Sequence, residues 1–298
     1  MPELPEVETI RRDLTVSIIG QEINAVKLIF LKTAKNKAAF FVKQLVGHKI
    51  TEIGRTGKLL ILKIKKKVTE KEQRYLLVHL KMTGQLILTS GTKKIGGGHS
   101  LSGNSFADSV GGELPNKYTR AIIEFKNKMR LFFNDLRKFG YLKIVDGQEL
   151  KRIIAVGYGP EPLMPKFSAV YLADKLKNKK KNIKAFLLDQ KMIAGLGNIY
   201  VDESLFMAGI KPMRIAASLK SAEIKKLYQE INKVIKKAII NRGTTFNNYV
   251  DSAGKKGNFS RLLKVYGRGK SPCLKCGRPL IKTKLAGRGT HYCDYCQK

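Results

Sequence analysis

The chain has 298 residues, enough for two ordinary domains. Its 58 lysines and arginines stand against 23 acids, a formal net charge of +35. That surplus exceeds what solubility needs and points to a polyanionic partner, nucleic acid first and an anionic membrane second. No apolar run approaches the ~20 residues of a spanning helix, and no signal-peptide core is present, so a bacterial-type cytosol or its nucleoid is expected. All four cysteines lie beyond residue 272, a placement unlike a secreted disulfide framework.

In chain order, the first feature is Pro2, flanked by Glu3 and Glu6. If Met1 is excised, Pro2 becomes a free secondary amine able to attack an electrophilic carbon, with Glu3 placed to move protons. The same residues also read as a helix start, because Pro5 suits a first turn and Glu3, Glu6 and Glu8 complement its dipole. Apolar Val7, Ile10, Leu14 and Ile18 then predict a helix stopped at Gly20. Strand-like stretches follow at Ile23–Leu31, Leu59–Ile64, Tyr75–Leu80, Ala121–Phe125, Met129–Phe133 and Gly140–Val145. No long helix interrupts them, which predicts an antiparallel β-sandwich with a flanking helix. The Gly/Ser-rich stretch Ser90–Pro115 has little apolar content and reads as a mobile loop.

Glycines and prolines at 151–165 mark a linker after an N-terminal domain of residues 1–150. Beyond it, Phe167–Lys177, Ile183–Gln190, Ile199–Ala208 and Ala222–Asn241 carry helical spacing, with Gly209 and Gly243 as stops. A helical domain is expected over 166–260 and a cysteine-bearing hairpin over 261–298, giving an α+β multidomain chain.

Cys273-x2-Cys276 and Cys293-x2-Cys296 are separated by sixteen residues. Two such knuckles supply four thiolates in the geometry of one structural Zn2+, with no open coordination position. Reduced thiols or two disulfides are the alternatives. Lys282, Lys284 and Arg288 would project from the hairpin towards a polyanion. Gly195-Leu196-Gly197-Asn198 opens a helix whose free N–H groups suit a phosphate, although Asn is also simply a good N-cap. Arg137-Lys138-Phe139 sets an aromatic beside two cations, as in a duplex wedge or a flanked core phenylalanine. Met82 has the same two readings.

Taken together these residues resemble the bacterial formamidopyrimidine-DNA glycosylases. The resemblance rests on Pro2-Glu3-Leu4-Pro5-Glu6-Val7-Glu8-Thr9, Gly57-Lys58, His79-Leu80-Lys81-Met82-Thr83-Gly84, Asp135-Leu136-Arg137-Lys138-Phe139-Gly140, Gly195–Tyr200 and the four cysteines. It covers essentially the whole chain and implies a helix–two-turn–helix in the C-terminal part.

The family implies excision of oxidised purines from double-stranded DNA, by a monomer, followed by strand cleavage at the resulting abasic site. Pro2 would be the nucleophile and Glu3 the proton donor, with Glu6 close to the opened sugar. Lys58 would serve as proton donor in elimination and Arg288 would act in δ-elimination. A nearby Lys58 ammonium would also disfavour protonation of the Pro2 amine. Met82, Arg137 and Phe139 would fill the space of a flipped nucleotide. Asn198, Lys179, Lys184 and Arg288 would contact phosphates, and Asp251–Phe259 would cap the base.

Two departures stand out. Tyr118 occupies the place of the family's usual DNA-contacting histidine, and Lys138 that of a second arginine. The alternatives are an endonuclease VIII-like enzyme for oxidised pyrimidines and a non-catalytic zinc-containing DNA-binding protein.

Overall fold

The computed structural model describes residues 1–66, 73–91, 93–98, 106–244 and 258–298. Its contacts divide the chain into two compact units. One comprises Met1–Ile154 with Asn241–Ser260, the other Ala155–Ile240 with Arg261–Lys298. The described residues 241–244 and 258–260 fall in the first unit.

The first unit begins with helix α1, Leu4–Ile18, whose stripe of Leu4, Val7, Ile10, Leu14 and Ile18 is buried. Strand β1 (Ile23–Leu28) and a short helix α2 (Ala38–Lys43) follow. Next come β2 (Lys49–Thr56), β3 (Leu59–Lys65), β4 (Arg74–His79), β5 (Gly84–Ser90) and β6 (Lys93–Gly98). A one-turn helix α3 (Phe106–Val110) precedes β7 (Thr119–Phe125), β8 (Arg130–Asp135) and β9 (Tyr141–Asp146).

The strands make two antiparallel sheets, ordered β1-β7-β8-β5-β6 and β2-β3-β4-β9. Both sheets and α1 meet in one core that includes Ile10, Ile53, Leu62, Val78, Leu88, Ile123, Phe133 and Ile144. The expected sandwich with a flanking helix is what forms. Period-2 alternation explains the division of β8, where Leu131 and Phe133 enter that core while Phe132 faces the other side. There Phe132 packs with Ile87, Ile122 and Val110 of α3.

The reading of Ser90–Pro115 as a loop is corrected for two stretches. Residues 93–98 pair with β5, and 106–110 are helical and cover the outer face of the first sheet. Residue 92 and residues 99–105 lie outside the described residues. Gly97 and Gly98 stand where α1 and β5 leave no room for a side chain. A Cβ on Gly97 would stand 1.8 Å from Ile10 Cγ1, and one on Gly98 2.2 Å from the Gly84 carbonyl oxygen. Gly97→Ala is therefore expected to destabilise the chain by roughly 1–3 kcal/mol through overpacking. Gly157→Ala, whose added Cβ meets nothing within 4 Å, is expected to be neutral or mildly stabilising. Urea unfolding compares the two; equal losses would contradict the packing account.

Helix α4, Gly147–Gly157, occupies part of the expected linker, and none of its residues is buried. In the second unit Ser168 caps α5 (Ala169–Leu176) by accepting from the Tyr171 N–H at 3.0 Å. Asn182 caps α6 (Ile183–Leu187) by accepting from the Ala185 N–H at 2.8 Å. Helix α7, Asn198–Ala208, is buried on nearly every side and stops at Gly209, whose φ is 79°. Helix α8, Ser221–Ile240, is amphipathic, burying Ile224, Leu227, Ile231 and Ile235. The chain closes with the hairpin β10 (Ile281–Leu285) and β11 (Arg288–Tyr292). Its two-residue turn, Ala286 at φ 50° and Gly287 at φ 72°, has the paired positive angles that match strand twist. Among the described residues no helix is long and apolar enough to cross a membrane.

Candidate active site and nucleic-acid interface

At the start of α1 the helix-start reading holds, with Pro at the first turn and Glu6 closing a capping box. Pro2, Glu3 and Glu6 are buried. The Glu3 N–H donates to Glu6 Oε2 at 2.9 Å, one arm of a capping box. Glu6 Oε1 accepts from the Thr244 N–H at 2.7 Å and from its hydroxyl at 3.0 Å. Glu6 thus clamps residue 244 to the helix start, at the entrance to the stretch expected to cap the base. Gly243, at φ 81°, is needed at this contact, since a Cβ would fall 2.5 Å from Glu6 Oε1. Of the capping stretch, 251–257 lie outside the described residues, while Phe259 is buried and its N–H bonds the Gly243 carbonyl.

Glu8 does more than complement a dipole. Burial pushes its carboxyl up, but hydrogen bonds from Arg11 and Arg12 and the charge of Arg55 outweigh this and hold it at about 2. Arg55 Nε lies 3.2 Å from Glu8 Oε2, and its Nη1 donates to the Gly57 carbonyl at 2.8 Å. The turn between β2 and β3 is braced this way, with Gly57 at φ 56° and Lys58 buried beside it.

His79 lies within one of the motifs that carry the resemblance, and the sequence alone assigns it no role. Burial, then the charges of Lys81 and Lys58, push its pKa down to about 3. Nδ1 faces the Lys81 N–H at 3.0 Å, and the ring lies 5.6 Å from that of Tyr141. The ring is therefore neutral with its proton on Nε2, a donor suited to an anion. Because the folded value lies below the usual 6.5, the unfolded chain takes up the proton first as pH falls. Stability is expected to decline from pH 6.5 towards pH 3, and His79→Gln should flatten that part of the pH–stability curve. Unchanged slope in thermal melts across this window would contradict the assignment.

Met82, Arg137 and Phe139 come together on the surface. The Arg137 Nη1 lies 3.1 Å from Met82 Sδ, its guanidinium carbon lies 4.7 Å from the Phe139 ring centroid, and Phe139 is 53% exposed. The core reading of Phe139 is excluded by that exposure. Asp135, buried beneath them, organises the loop. Its Oδ1 accepts from the Thr83 hydroxyl and from the Arg137 N–H at 3.1 Å, and its Oδ2 from the Gly140 N–H at 2.7 Å. Tyr118 is partly exposed, with Lys117 Nζ 5.3 Å from its ring centroid, and its carbonyl accepts from the Asp135 N–H at 2.8 Å.

In the second unit, Asn198 opens α7 and donates from Nδ2 to the Gly289 carbonyl at 2.8 Å. Arg288 is exposed next to that carbonyl, and Lys282 and Lys284 are exposed on β10. Lys179 is partly exposed. Lys184 departs from the expectation of a phosphate contact. Its side chain is 0% exposed, and Nζ lies 2.6 Å from Asp202 Oδ1 and 3.0 Å from the Gly289 carbonyl oxygen. Its basic charge is spent on an internal acid eighteen residues on, a pairing that sequence spacing does not reveal. Glu203, next in line, accepts the N–H groups of Lys264, Val265 and Tyr266 at 2.8, 2.9 and 2.8 Å and ties that segment to α7.

The sulfur atoms of Cys273, Cys276, Cys293 and Cys296 all lie within 4.8 Å of one another. Cys273 and Cys296 are 3.9 Å apart, Cys276 and Cys293 3.6 Å. Tetrahedral zinc with bonds of about 2.3 Å needs sulfur–sulfur edges of about 3.8 Å, so the four fit one ion. Disulfides, at about 2.05 Å, do not fit these distances.

Three family models match: "Formamidopyrimidine-DNA glycosylase N-terminal domain" over residues 1–142, "Formamidopyrimidine-DNA glycosylase H2TH domain" over 158–249, and "Zinc finger found in FPG and IleRS" over 270–298. The formamidopyrimidine-DNA glycosylase of Carboxydothermus hydrogenoformans is 43% identical over 300 residues, covering 100% of both chains. That of Geobacillus kaustophilus is 38% identical over 302 residues, again covering 100% of both. Among solved structures, a Lactococcus lactis Fpg in complex with DNA containing an abasic site is similar at TM-score 0.86 and 33% identity, over 99% of each chain. A mutant of the Lactococcus lactis protein with a Fapy-dG containing DNA is similar at TM-score 0.86 and 32% identity, over 100% of each. The H2TH match covers α5 to α8, the zinc-finger match covers the four cysteines, and the chain belongs to the formamidopyrimidine-DNA glycosylase family.

Proposed function

We propose that the chain is a bifunctional DNA glycosylase and abasic-site lyase of base excision repair that acts on oxidised purines in double-stranded DNA. The observation that carries this reading is the surface cluster of Met82, Arg137 and Phe139 on a loop held from below by Asp135. An exposed aromatic, a thioether and a guanidinium on a rigid loop suit the gap left by a flipped nucleotide.

With Met1 removed, the Pro2 amine attacks C1′ of the flipped nucleotide. The C1′–N bond to the base breaks and the base leaves with a proton from Glu3; the attacking nitrogen then gives up its own proton, the C1′–O4′ bond opens with a proton going to O4′, and an iminium to the opened sugar remains. The iminium acidifies the C2′ proton, so loss of that proton expels the 3′ phosphate. A second elimination expels the 5′ phosphate. Lys58 and Arg288 are assigned to proton transfer in these two steps. Glu6, bonded to the Glu3 and Thr244 N–H groups, fixes the helix start and keeps an acid near the sugar. Asn198, His79, Lys179 and Arg288 supply donors to phosphates, with Tyr118 beside the wedge loop, and the net charge of +35 drives association. Zinc, held by the four cysteines, supplies the fold of the hairpin that carries Arg288. The chain acts as a monomer in a bacterial cytosol.

Borohydride trapping on a duplex with 8-oxoguanine opposite cytosine tests the reading. A covalent adduct is expected, and none with Pro2→Gly. Binding without an adduct would favour a non-catalytic DNA-binding protein, and faster cutting of dihydrothymine would favour the oxidised-pyrimidine branch.

A further inference from the structure

The strand that carries Arg288 is fastened at two main-chain points, two residues apart, and a buried ion pair serves both. The Gly289 carbonyl accepts from Lys184 Nζ at 3.0 Å, and the His291 N–H donates to Asp202 Oδ2 at 2.9 Å. Lys184 and Asp202 pair with each other at 2.6 Å, and neither side chain has any solvent exposure. In an antiparallel strand alternate residues direct their main-chain groups to the same edge. Gly289 and His291 share the edge of β11 that is turned towards α6 and α7. An ion pair buried this deeply gives little net stability over apolar residues of the same shape, because desolvation cancels the attraction. What it supplies here is direction. Each charge meets both its partner and the strand beside Arg288.

We propose that Lys184 and Asp202 are positioning residues for Arg288, holding the β11 edge so that the guanidinium meets the reacting sugar phosphate, without touching DNA themselves. The proposal rests on the reading of Arg288 as the δ-elimination residue.

The test uses the zinc-loaded full chain and a duplex with a single abasic site, scoring β- and δ-elimination products on a gel alongside borohydride adduct. In the variant Lys184→Met with Asp202→Leu, which strands no charge, adduct and β product should stay within about twofold of the unmodified chain. The δ-to-β ratio should fall about tenfold, and adding Arg288→Ala should lower it no further. An unchanged ratio, or a loss of adduct in step with loss of DNA affinity at a normal ratio, overturns the proposal. The second pattern is what a phosphate contact by Lys184 produces. Should the double variant lose zinc, Asp202→Asn is read on the same gel. It keeps an acceptor for the His291 N–H and drops the charge, so a severalfold fall in ratio is expected, and no fall overturns the proposal. Arg288→Ala in the otherwise unmodified chain separates the two levels. If it leaves the ratio unchanged, the reading of Arg288 fails by itself and takes this proposal with it.

Discussion

Removing zinc is expected to lower incision of a lesion-bearing duplex more than 100-fold while leaving most of the helix and strand signal in far-UV circular dichroism. The reason is local. Residues around the hairpin have little core of their own, namely Phe206, Val265, Cys273, Leu280 and Cys293, with two of the five being zinc ligands. Structural zinc binding is worth on the order of 10–16 kcal/mol in small fingers, so without it the four thiols no longer hold the two knuckles together. The polar ties that remain include the Asp202 bond to the His291 N–H, the Lys184 and Asn198 bonds to the Gly289 carbonyl, and the contacts of Gln297, which accepts from the Cys293 N–H at 2.8 Å and donates to the Ile210 carbonyl at 2.7 Å. Such bonds, worth about 1–3 kcal/mol net each, fasten single main-chain points and do not hold the two knuckles together in place of the metal. Arg288 then loses its place while the sandwich of the first unit, which holds no zinc ligand, stays folded. Chelation followed by incision assays, with zinc added back, checks this. Undiminished cutting by metal-free protein would contradict it.

The second large effect is expected at Asp135. Alanine there leaves the Gly140 N–H and the Thr83 hydroxyl without their acceptor beneath the wedge loop, and the Arg137 N–H with Thr83 Oγ1 alone at 3.0 Å. Buried donors left unmet cost roughly 1–3 kcal/mol each, so Asp135→Ala should destabilise the chain by about 4 kcal/mol. Asparagine should recover only part of this, because an NH2 group takes the place of one accepting oxygen. The loop would no longer present Arg137 and Phe139 together, so excision from duplex DNA should fall beyond what partial unfolding explains. Leu136→Ala, at an exposed side chain of the same loop, should change stability by less than about 0.5 kcal/mol. Denaturant unfolding of the three variants decides the matter, and a loss below about 1 kcal/mol for Asp135→Ala would remove Asp135 from its role as organiser.

What the sequence made legible follows from where the signal sits. Helices α1 and α8 announce themselves because one apolar stripe is buried along each, with an end marked by glycine or a first turn by acids. The β3, β7 and β8 strands are equally plain, being apolar runs buried in a two-sheet core. Strand β2 escaped notice since only Ile50 and Ile53 of its eight residues are buried, which leaves almost no alternation to read. Strand β6 escaped for the opposite reason, as Gly97 and Gly98 record the close approach of Ile10 and of the β5 backbone and not chain freedom. Helix α4 hid inside an apparent linker because none of its residues is buried.

The site divides in the same way. Spacing identified the four cysteines, since ligand geometry is local in each knuckle. The roles of Asp135, Glu6 and Asp202 lie in contacts with Gly140, Thr244 and His291, which only the fold brings near. The resemblance makes Lys184 a phosphate contact, and only the fold shows that its charge is turned inward onto Asp202.

The central claim is that the amine of Pro2, freed by loss of Met1, is the nucleophile. Mass mapping of the borohydride-reduced DNA adduct after tryptic digestion tests it most directly. The account predicts the sugar remnant on the peptide spanning 2–11, attached at its N-terminal nitrogen, in a chain that has lost Met1. A remnant on a lysine-bearing peptide, or on a chain that keeps Met1, would contradict it.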